Sequence, residues 1–152
     1  MIEGICSSNK ILYNFLTEKG YEEKSLEDPY KILDIIPENL KHYWWRGYID
    51  GDGSFYCNKK NHVYRFQISG SYNQKWDSLI KLCENLKVEY HVKKYEKISK
   101  LGKIHRYSTL DVRKIDSIQK MGNYIYQNYD YLGLDRKYHK FQSIPKVKHQ
   151  KQ

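Results

Sequence analysis

The sequence predicts an α+β fold in which helices cover one face of a four-stranded antiparallel sheet. Residues 63–69 and 103–112 place apolar side chains on one face and polar ones on the other, which indicates strands, and each is predicted to form a hairpin with a neighbouring segment. Between these segments apolar residues recur at helical spacing, and short polar or glycine-containing turns join the strands in pairs. The predicted order of elements is αββαββα, and 152 residues are enough for a single hydrophobic core.

The chain divides into three predicted parts. Residues 1–36 form an N-terminal extension, in which Ser7 and Ser8 can cap a short helix that ends at Gly20, followed by an irregular acidic stretch. Residues 37–143 form the core, and residues 144–152 form a basic tail.

The first core helix is predicted to begin at Pro37, which suits a first helical turn. Leu40, Trp44, Gly47 and Gly51 follow at spacings of four, three and four, so they share one stripe. Each glycine costs a helix about 1 kcal/mol relative to alanine. The stripe therefore favours close contact with the same helix of a second copy, although packing within the chain is an alternative.

The remaining elements follow from the alternation of residues and from turn residues. Gly70 is taken as the end of the second strand. Strands are predicted at 54–58, 63–69, 90–98 and 103–112, and helices at 74–86, about 114–129 and near 135–143.

The sheet face that points away from the helices is predicted to be polar, basic and aromatic. Arginine, lysine, glutamine and asparagine are the side chains that read base edges in a major groove. The predicted DNA-binding residues are Asn58, Lys60, Arg65, Gln67, His91, Lys93, Tyr95, His105 and Tyr107.

The charge distribution supports a polyanionic partner. Residues 1–55 hold 6 Lys/Arg and 10 Asp/Glu, a net charge of −4, whereas residues 56–152 hold 21 Lys/Arg and 8 Asp/Glu, a net charge of +13. A strongly basic body with 16 interleaved tyrosines is typical of nucleic-acid binding. A solvated basic face without a partner is the alternative.

Asp50 and Asp52 are predicted to lie at the C-terminal end of the first core helix, where the helix dipole disfavours negative charge. Binding of a divalent cation such as Mg²⁺ is the simplest way to neutralise this negative charge. A haloacid-dehalogenase-like phosphatase also carries an Asp-x-Asp-Gly segment, but there it follows an apolar strand, which residues 45–48 do not form. That class is kept as a distant alternative.

Residues 45–53 resemble the LAGLIDADG motif of homing endonucleases. Tyr48 replaces a leucine of the motif, and Trp45 and Arg46 depart from it. The matching positions are Gly47, Ile49, Asp50, Asp52 and Gly53. The order of elements over residues 37–143 is also that of the family, and residues 134–141 resemble its closing segment.

The resemblance implies a LAGLIDADG-type core and a metal-dependent active site. Asp52 would bind Mg²⁺ together with the Gly51 carbonyl, with Mn²⁺ as a substitute and Ca²⁺ allowing binding without turnover. Asp50 would brace the helix ends. Lys137 or Arg136 would supply the basic residue near the reacting phosphate, and Gln74 would order water.

The resemblance further implies a homodimer, because the chain contains one motif. Such a dimer would cut a long, pseudo-palindromic double-stranded DNA site, leave short 3′ overhangs, and belong to a mobile genetic element such as an intron. A non-cleaving binder on the same fold, an intron maturase or a transcription regulator, is the alternative. Residues 1–36 would be a remnant of a preceding repeat or an accessory arm.

The sequence shows no feature of a membrane or secreted protein. It has no run of about 18 apolar residues and no secretory signal. Cys6, Cys57 and Cys83 form neither a disulfide framework nor a metal-binding pair. An intracellular location, in a cell or an organelle, is expected.

Overall fold

The computed structural model describes residues 10–19, 27–129 and 133–147. These residues contain a 3₁₀ turn at Glu38–Leu40 between the second and third helices. The helices and strands are α1 (Lys10–Glu18), α2 (Tyr30–Ile35), α3 (Lys41–Asp52), β1 (Gly53–Asn58), β2 (Val63–Ser71), α4 (Asp77–Asn85), β3 (His91–Ile98), β4 (Ile104–Val112), α5 (Ile115–Ile125) and α6 (Asp135–Gln142).

The four strands form one antiparallel sheet in the order β1-β2-β4-β3. Each hairpin pairs its own strands, and β2 and β4 join the hairpins in the middle of the sheet. Gln67 of β2 and His91 of β3 both lie opposite Asp111 of β4. The predicted α+β class, the antiparallel sheet and the element order from α3 to α6 are confirmed.

The hydrophobic core lies between one sheet face and the helices. Strand side chains on that face alternate with the polar ones, because successive side chains of a strand point to opposite sides. Burying each large apolar side chain contributes about 1.5–3 kcal/mol. Fully buried core residues include Ile49, Phe66, Ile68, Leu110, Val112, Ile118, Met121 and Ile125.

The helices predicted to begin at Pro37 and at residue 74 begin at Lys41, after the 3₁₀ turn, and at Asp77. Two other predicted boundaries are wrong for identifiable reasons. Gly70 does not end β2, which continues to Ser71, and Gly70 pairs with Ser108 of β4. A Cβ at Gly70 would lie 2.8 Å from Cγ of Gln74, so the glycine makes room for that side chain. The helix predicted to reach residue 129 ends at Ile125, and Asn128 adopts a positive φ of 50° that no helix tolerates.

The segment before α3 was predicted to be irregular, and this is wrong for α2. Ile32 and Leu33 of α2 are buried, and Leu33 belongs to the core. The Asp28 carboxylate accepts hydrogen bonds from the backbone N–H and the hydroxyl of Ser78 at the start of α4. Part of the predicted N-terminal extension therefore packs against the core.

The hydrophobic core also includes a residue of the segment that was predicted to be a basic tail, because Ile144 is buried. The predicted cap at Ser7 and Ser8, the stop at Gly20 and the end of the basic tail, 148–152, lie outside the described residues. Within the described ranges, no helix is long and apolar enough to cross a membrane.

Candidate functional site

The candidate site is built around the C-terminal end of α3, which passes directly into β1. The N–H of Gly53 donates to the Ile49 carbonyl, and a Cβ at Gly53 would lie 2.7 Å from that oxygen. Only glycine fits this approach without a shift. Asp50 and Asp52 both belong to α3 and lie two residues apart, on different sides of the helix, so their surroundings differ.

Asp50 is buried and bound within the chain. Its Oδ1 accepts a hydrogen bond from the Tyr126 hydroxyl at 3.1 Å, and its Oδ2 accepts one from the Leu134 N–H at 2.8 Å. Burial, with the nearby Asp50 charge, raises the pKa of Tyr126 and keeps it a hydrogen-bond donor. Because Leu134 immediately precedes α6, Asp50 ties the end of α3 to the start of α6.

Lys137 of α6 completes the same junction from the other side. Its Nζ donates to the carbonyls of Ile49 at 3.0 Å, Asp50 at 2.7 Å and Gly53 at 2.5 Å. Burial lowers the pKa of Lys137, and the neighbouring Asp50 opposes that shift. All three N–H groups of its ammonium are thus used on main-chain oxygens at the junction between α3 and β1.

Arg46 performs a similar task at the end of α5. Its Nε donates to the Ile125 carbonyl at 3.0 Å, and its Nη2 donates to the Gln127 carbonyl at 2.8 Å. The side chain is 2% exposed. Sequence reasoning treated Arg46 only as a departure from the motif. A charged residue inside an otherwise apolar helix turn was the signal that it has buried acceptors.

Asp52, in contrast, is exposed at the last position of α3. It borders a groove of about 590 Å³ that also reaches Gln74, whose side chain is 9% exposed and lies over Gly70. The structure therefore brings Asp52 and Gln74 to one groove. The groove is lined by Tyr43, Trp44, Gly47, Tyr48, Gly51, Asp52, Ser69, Gly70, Ser71 and Gln74.

The predicted stripe on α3 is open along this groove. A Cβ at Gly47 or Gly51 would meet nothing within 4 Å. Leu40 is 43% exposed, and Trp44 stacks on Tyr48 with ring centroids 5.2 Å apart. Among the described residues, nothing of the same chain packs closely on the two glycines.

The strand register places the predicted DNA-binding residues on a single face of the sheet, except Lys60, which lies in the turn between β1 and β2. Tyr95 and Tyr107 stack there with centroids 5.1 Å apart, and Lys97 approaches both rings. This surface is called the polar face. It comprises Ser54, Tyr56, Asn58, Arg65, Gln67, Ser69, Ser71, His91, Lys93, Tyr95, Lys97, His105, Tyr107, Thr109 and Asp111.

The described residues do not contain a group of three or more histidine, cysteine or acidic side chains that could hold a metal ion. One chain offers the Asp52 carboxylate, beside the Gly51 carbonyl, as candidate ligands, and both are hard oxygen donors. Arg136 is exposed on the first turn of α6.

No protein-family model matches the chain, and no curated protein is significantly similar to it in sequence.

Proposed function

We propose that the chain is a site-specific, double-stranded DNA endonuclease of the LAGLIDADG type that acts as a homodimer. The observation that carries the proposal is the position of Asp52. This exposed carboxylate ends a helix whose glycine stripe is open, and it lies beside a polar, basic sheet face.

The open stripe supports the homodimer. Gly47 and Gly51 remove side-chain bulk from one line of α3, which lets the backbone of a second helix approach closely. In a two-fold dimer the same patch contacts itself. Packing α3 on its own copy would bring two Asp52 carboxylates close to the symmetry axis.

The two carboxylates would need positive charge between them. Each lies at the negative end of a helix dipole, and like charges repel at short distance. Two Asp52 carboxylates, two Gly51 carbonyls and DNA phosphate oxygens suit Mg²⁺ or Mn²⁺. Such a cation, when bound, stabilises charge on a phosphodiester and lowers the pKa of water.

The chain's own residues supply positioning. Asp50, Lys137 and Arg46 fix the ends of α3, α5 and α6 through buried hydrogen bonds. These contacts fix the backbone of α3 next to Asp52. Gln74, which lines the same groove, would orient a water molecule near the reacting phosphate.

The polar face supports duplex DNA as the substrate. Two such faces in a dimer would extend on both sides of the axis, so each would read one half of a pseudo-palindromic site. Arginine, lysine, glutamine and asparagine supply hydrogen bonds to base edges, and lysine also neutralises phosphates.

The test is cleavage of a plasmid library in Mg²⁺, Mn²⁺ or Ca²⁺ by the wild type, Asp52→Asn and the control Asp116→Asn. Asp116 is an acidic residue of α5 that pairs with Lys120. We expect the wild type and the control to cut in Mg²⁺ and Mn²⁺, leaving 3′ overhangs, and to bind without cutting in Ca²⁺. Asp52→Asn should bind but not cut.

Cutting by Asp52→Asn at the wild-type rate would contradict the proposed site. Duplex binding without cutting in any of the metals would instead assign a non-cleaving binder. In that case, stronger competition by RNA than by duplex DNA would indicate a maturase.

A further inference from the structure

Asp111 is an anomaly on the polar face. It is 0% exposed, although it lies on the face that turns away from the hydrophobic core. Its Oδ2 accepts a hydrogen bond from the Thr109 hydroxyl at 3.3 Å, while its Oδ1 has no hydrogen-bond partner among the described residues. A buried carboxylate oxygen without a donor is costly, so it requires an explanation.

Arg113 is the cation nearest to this carboxylate in the described structure. Its Nη2 lies 3.9 Å from Oδ2 of Asp111, which is within ion-pair range but too long for a hydrogen bond. The Arg113 side chain is 54% exposed. The guanidinium thus lies beside Asp111, on the polar face, while about half of the Arg113 side chain remains accessible to solvent.

We propose that Arg113 reads a guanine in the major groove and that Asp111 is the positioning residue that orients it. This inference rests on the proposed function, because it requires duplex DNA on the polar face. Arginine can donate two hydrogen bonds to O6 and N7 of guanine. When Arg113 swings to meet the base, its inner N–H groups can turn toward Asp111 and satisfy Oδ1.

The pair favours a base over a phosphate as the ligand. A phosphate bound by Arg113 would carry its negative charge close to the Asp111 carboxylate, and the two would repel each other. The edge of a guanine is neutral and presents acceptors, so it carries no such penalty. Asp111 therefore selects for a base contact as well as orienting the guanidinium.

The position of Asp111 and Arg113 is compatible with a base contact close to the phosphodiester bond that would be cut. Asp111 lies opposite Gln67, and Gln67 lies opposite Ser54. Ser54 is two residues from Asp52 in the chain. Two strand spacings, roughly 10 Å, thus separate Asp111 from the start of β1. His91, opposite Asp111 on β3, continues the same row.

The test is selection of bound duplexes from a library with both half-sites randomised, in Ca²⁺ so that cutting is not required. The wild type is compared with Arg113→Gln, Asp111→Asn and the control Arg106→Gln. Arg106 lies on β4, the strand of Asp111. Its side chain is on the opposite face of the sheet, where it pairs with Glu96 at 2.7 Å. Its loss removes the same charge without touching the polar face.

We expect the wild type to enrich guanine at one symmetric position in each half-site. Arg113→Gln should reduce that preference about tenfold or more, and Asp111→Asn should reduce it by a smaller factor. Arg106→Gln should keep the wild-type profile. Because Arg113 is half exposed, its substitution tests the base contact even if Asp111→Asn folds poorly.

An unchanged base profile in Arg113→Gln would overturn the inference. So would a uniform loss of affinity for all sequences with a salt slope reduced by about 1, because that result would make Arg113 a phosphate ligand. Both results leave the proposed function standing. A wild type that binds no duplex at all would instead overturn the proposed function, and this inference with it.

Discussion

Two acidic side chains of one helix end, Asp50 and Asp52, have opposite roles in this structure. Asp50 accepts hydrogen bonds from Tyr126 and Leu134, whereas Asp52 faces the open groove. An acid that a fold needs is paired with donors inside the chain. An acid at a helix C-terminus that is exposed and unfavourably placed in the dipole is instead a candidate for function.

Neutralising each acid separates these roles. Asp50→Asn should lower the free energy of unfolding by about 1–3 kcal/mol, because two buried donors lose a charged acceptor. Asp52→Asn should leave it unchanged or raise it slightly, because it removes a negative charge from a helix C-terminus. Urea unfolding of both variants without metal checks this. Equal destabilisation by the two substitutions would contradict the assigned roles.

At the residue scale, the motif resemblance assigned different roles to the two acids, but the sequence did not show which groups hold Asp50. The motif resemblance indicated that Asp50 braces helix ends, and the structure places it there. The contacts of Lys137 with Ile49 and Asp50 join residues more than 80 positions apart. Such contacts depend on how α6 packs, and no local pattern encodes them.

At the scale of elements, α3 has one face buried in the core and another on which two glycines leave the backbone uncovered. The buried face includes Trp45 and Ile49, and the bare face is the glycine stripe. Glycine weakens a helix by about 1 kcal/mol relative to alanine. An unfilled stripe that lowers the stability of one chain is consistent with a contact made by the assembled protein.

A larger side chain at Gly47 should stabilise the monomer and prevent the dimer from forming. Gly47→Leu should raise the free energy of unfolding of the monomer by roughly 0.5–1 kcal/mol, because leucine is a far better helix former. The same side chain should abolish dimer formation and DNA cutting. Urea unfolding at low protein concentration and sedimentation velocity would measure the two effects.

Lys81→Leu on α4 is the matched control, because it adds a leucine to another exposed helix position. It should leave the dimer intact. A Gly47→Leu protein that remains dimeric and cuts DNA would rule out the α3 contact.

The N-terminal half of α3 carries a pH-dependent contribution. Burial lowers the pKa of His42 from 6.5, the nearby Arg46 lowers it further, and the Asn39 carbonyl opposes the shift. The native state therefore binds fewer protons than the unfolded chain just below pH 6.5. Stability is retained above that pH and is lost as the pH falls toward the lowered pKa.

His42→Phe should flatten the acid side of a plot of unfolding free energy against pH, because it removes this proton linkage. His105→Gln, which changes an exposed histidine, should leave the slope as it is in the wild type. Urea unfolding from pH 7 to pH 5 would check both. An unchanged slope in His42→Phe would show that His42 titrates normally.

The elements themselves were largely predictable because their periodicities are local. Residues 64–69 of β2 alternate apolar and polar side chains, and α5 repeats apolar residues at helical spacing. The α2 helix was missed because six residues, Tyr30–Ile35, are too few to show a helical period. The end of α5 was overestimated because the sequence does not show the positive φ of 50° at Asn128, which a helix does not accommodate.

At the scale of the whole molecule, charge is sorted between two surfaces. Acidic residues of the first part of the chain line a groove between α2, α4 and the start of α3, where Glu27 pairs with Lys75 and Glu38 pairs with Lys41. The polar face instead holds lysines, histidines and an arginine around one buried carboxylate. The composition predicted a polyanionic partner, and the strand register shows which basic and aromatic side chains share one face of the sheet.

The central claim is that two chains place their Asp52 side chains together on one duplex. The most direct measurement is the mass of the complex with a cognate duplex in Ca²⁺, obtained by native mass spectrometry. With a chain of 18.4 kDa, we expect two chains per duplex. One chain per duplex, with cutting intact once Mg²⁺ replaces Ca²⁺, would contradict the account.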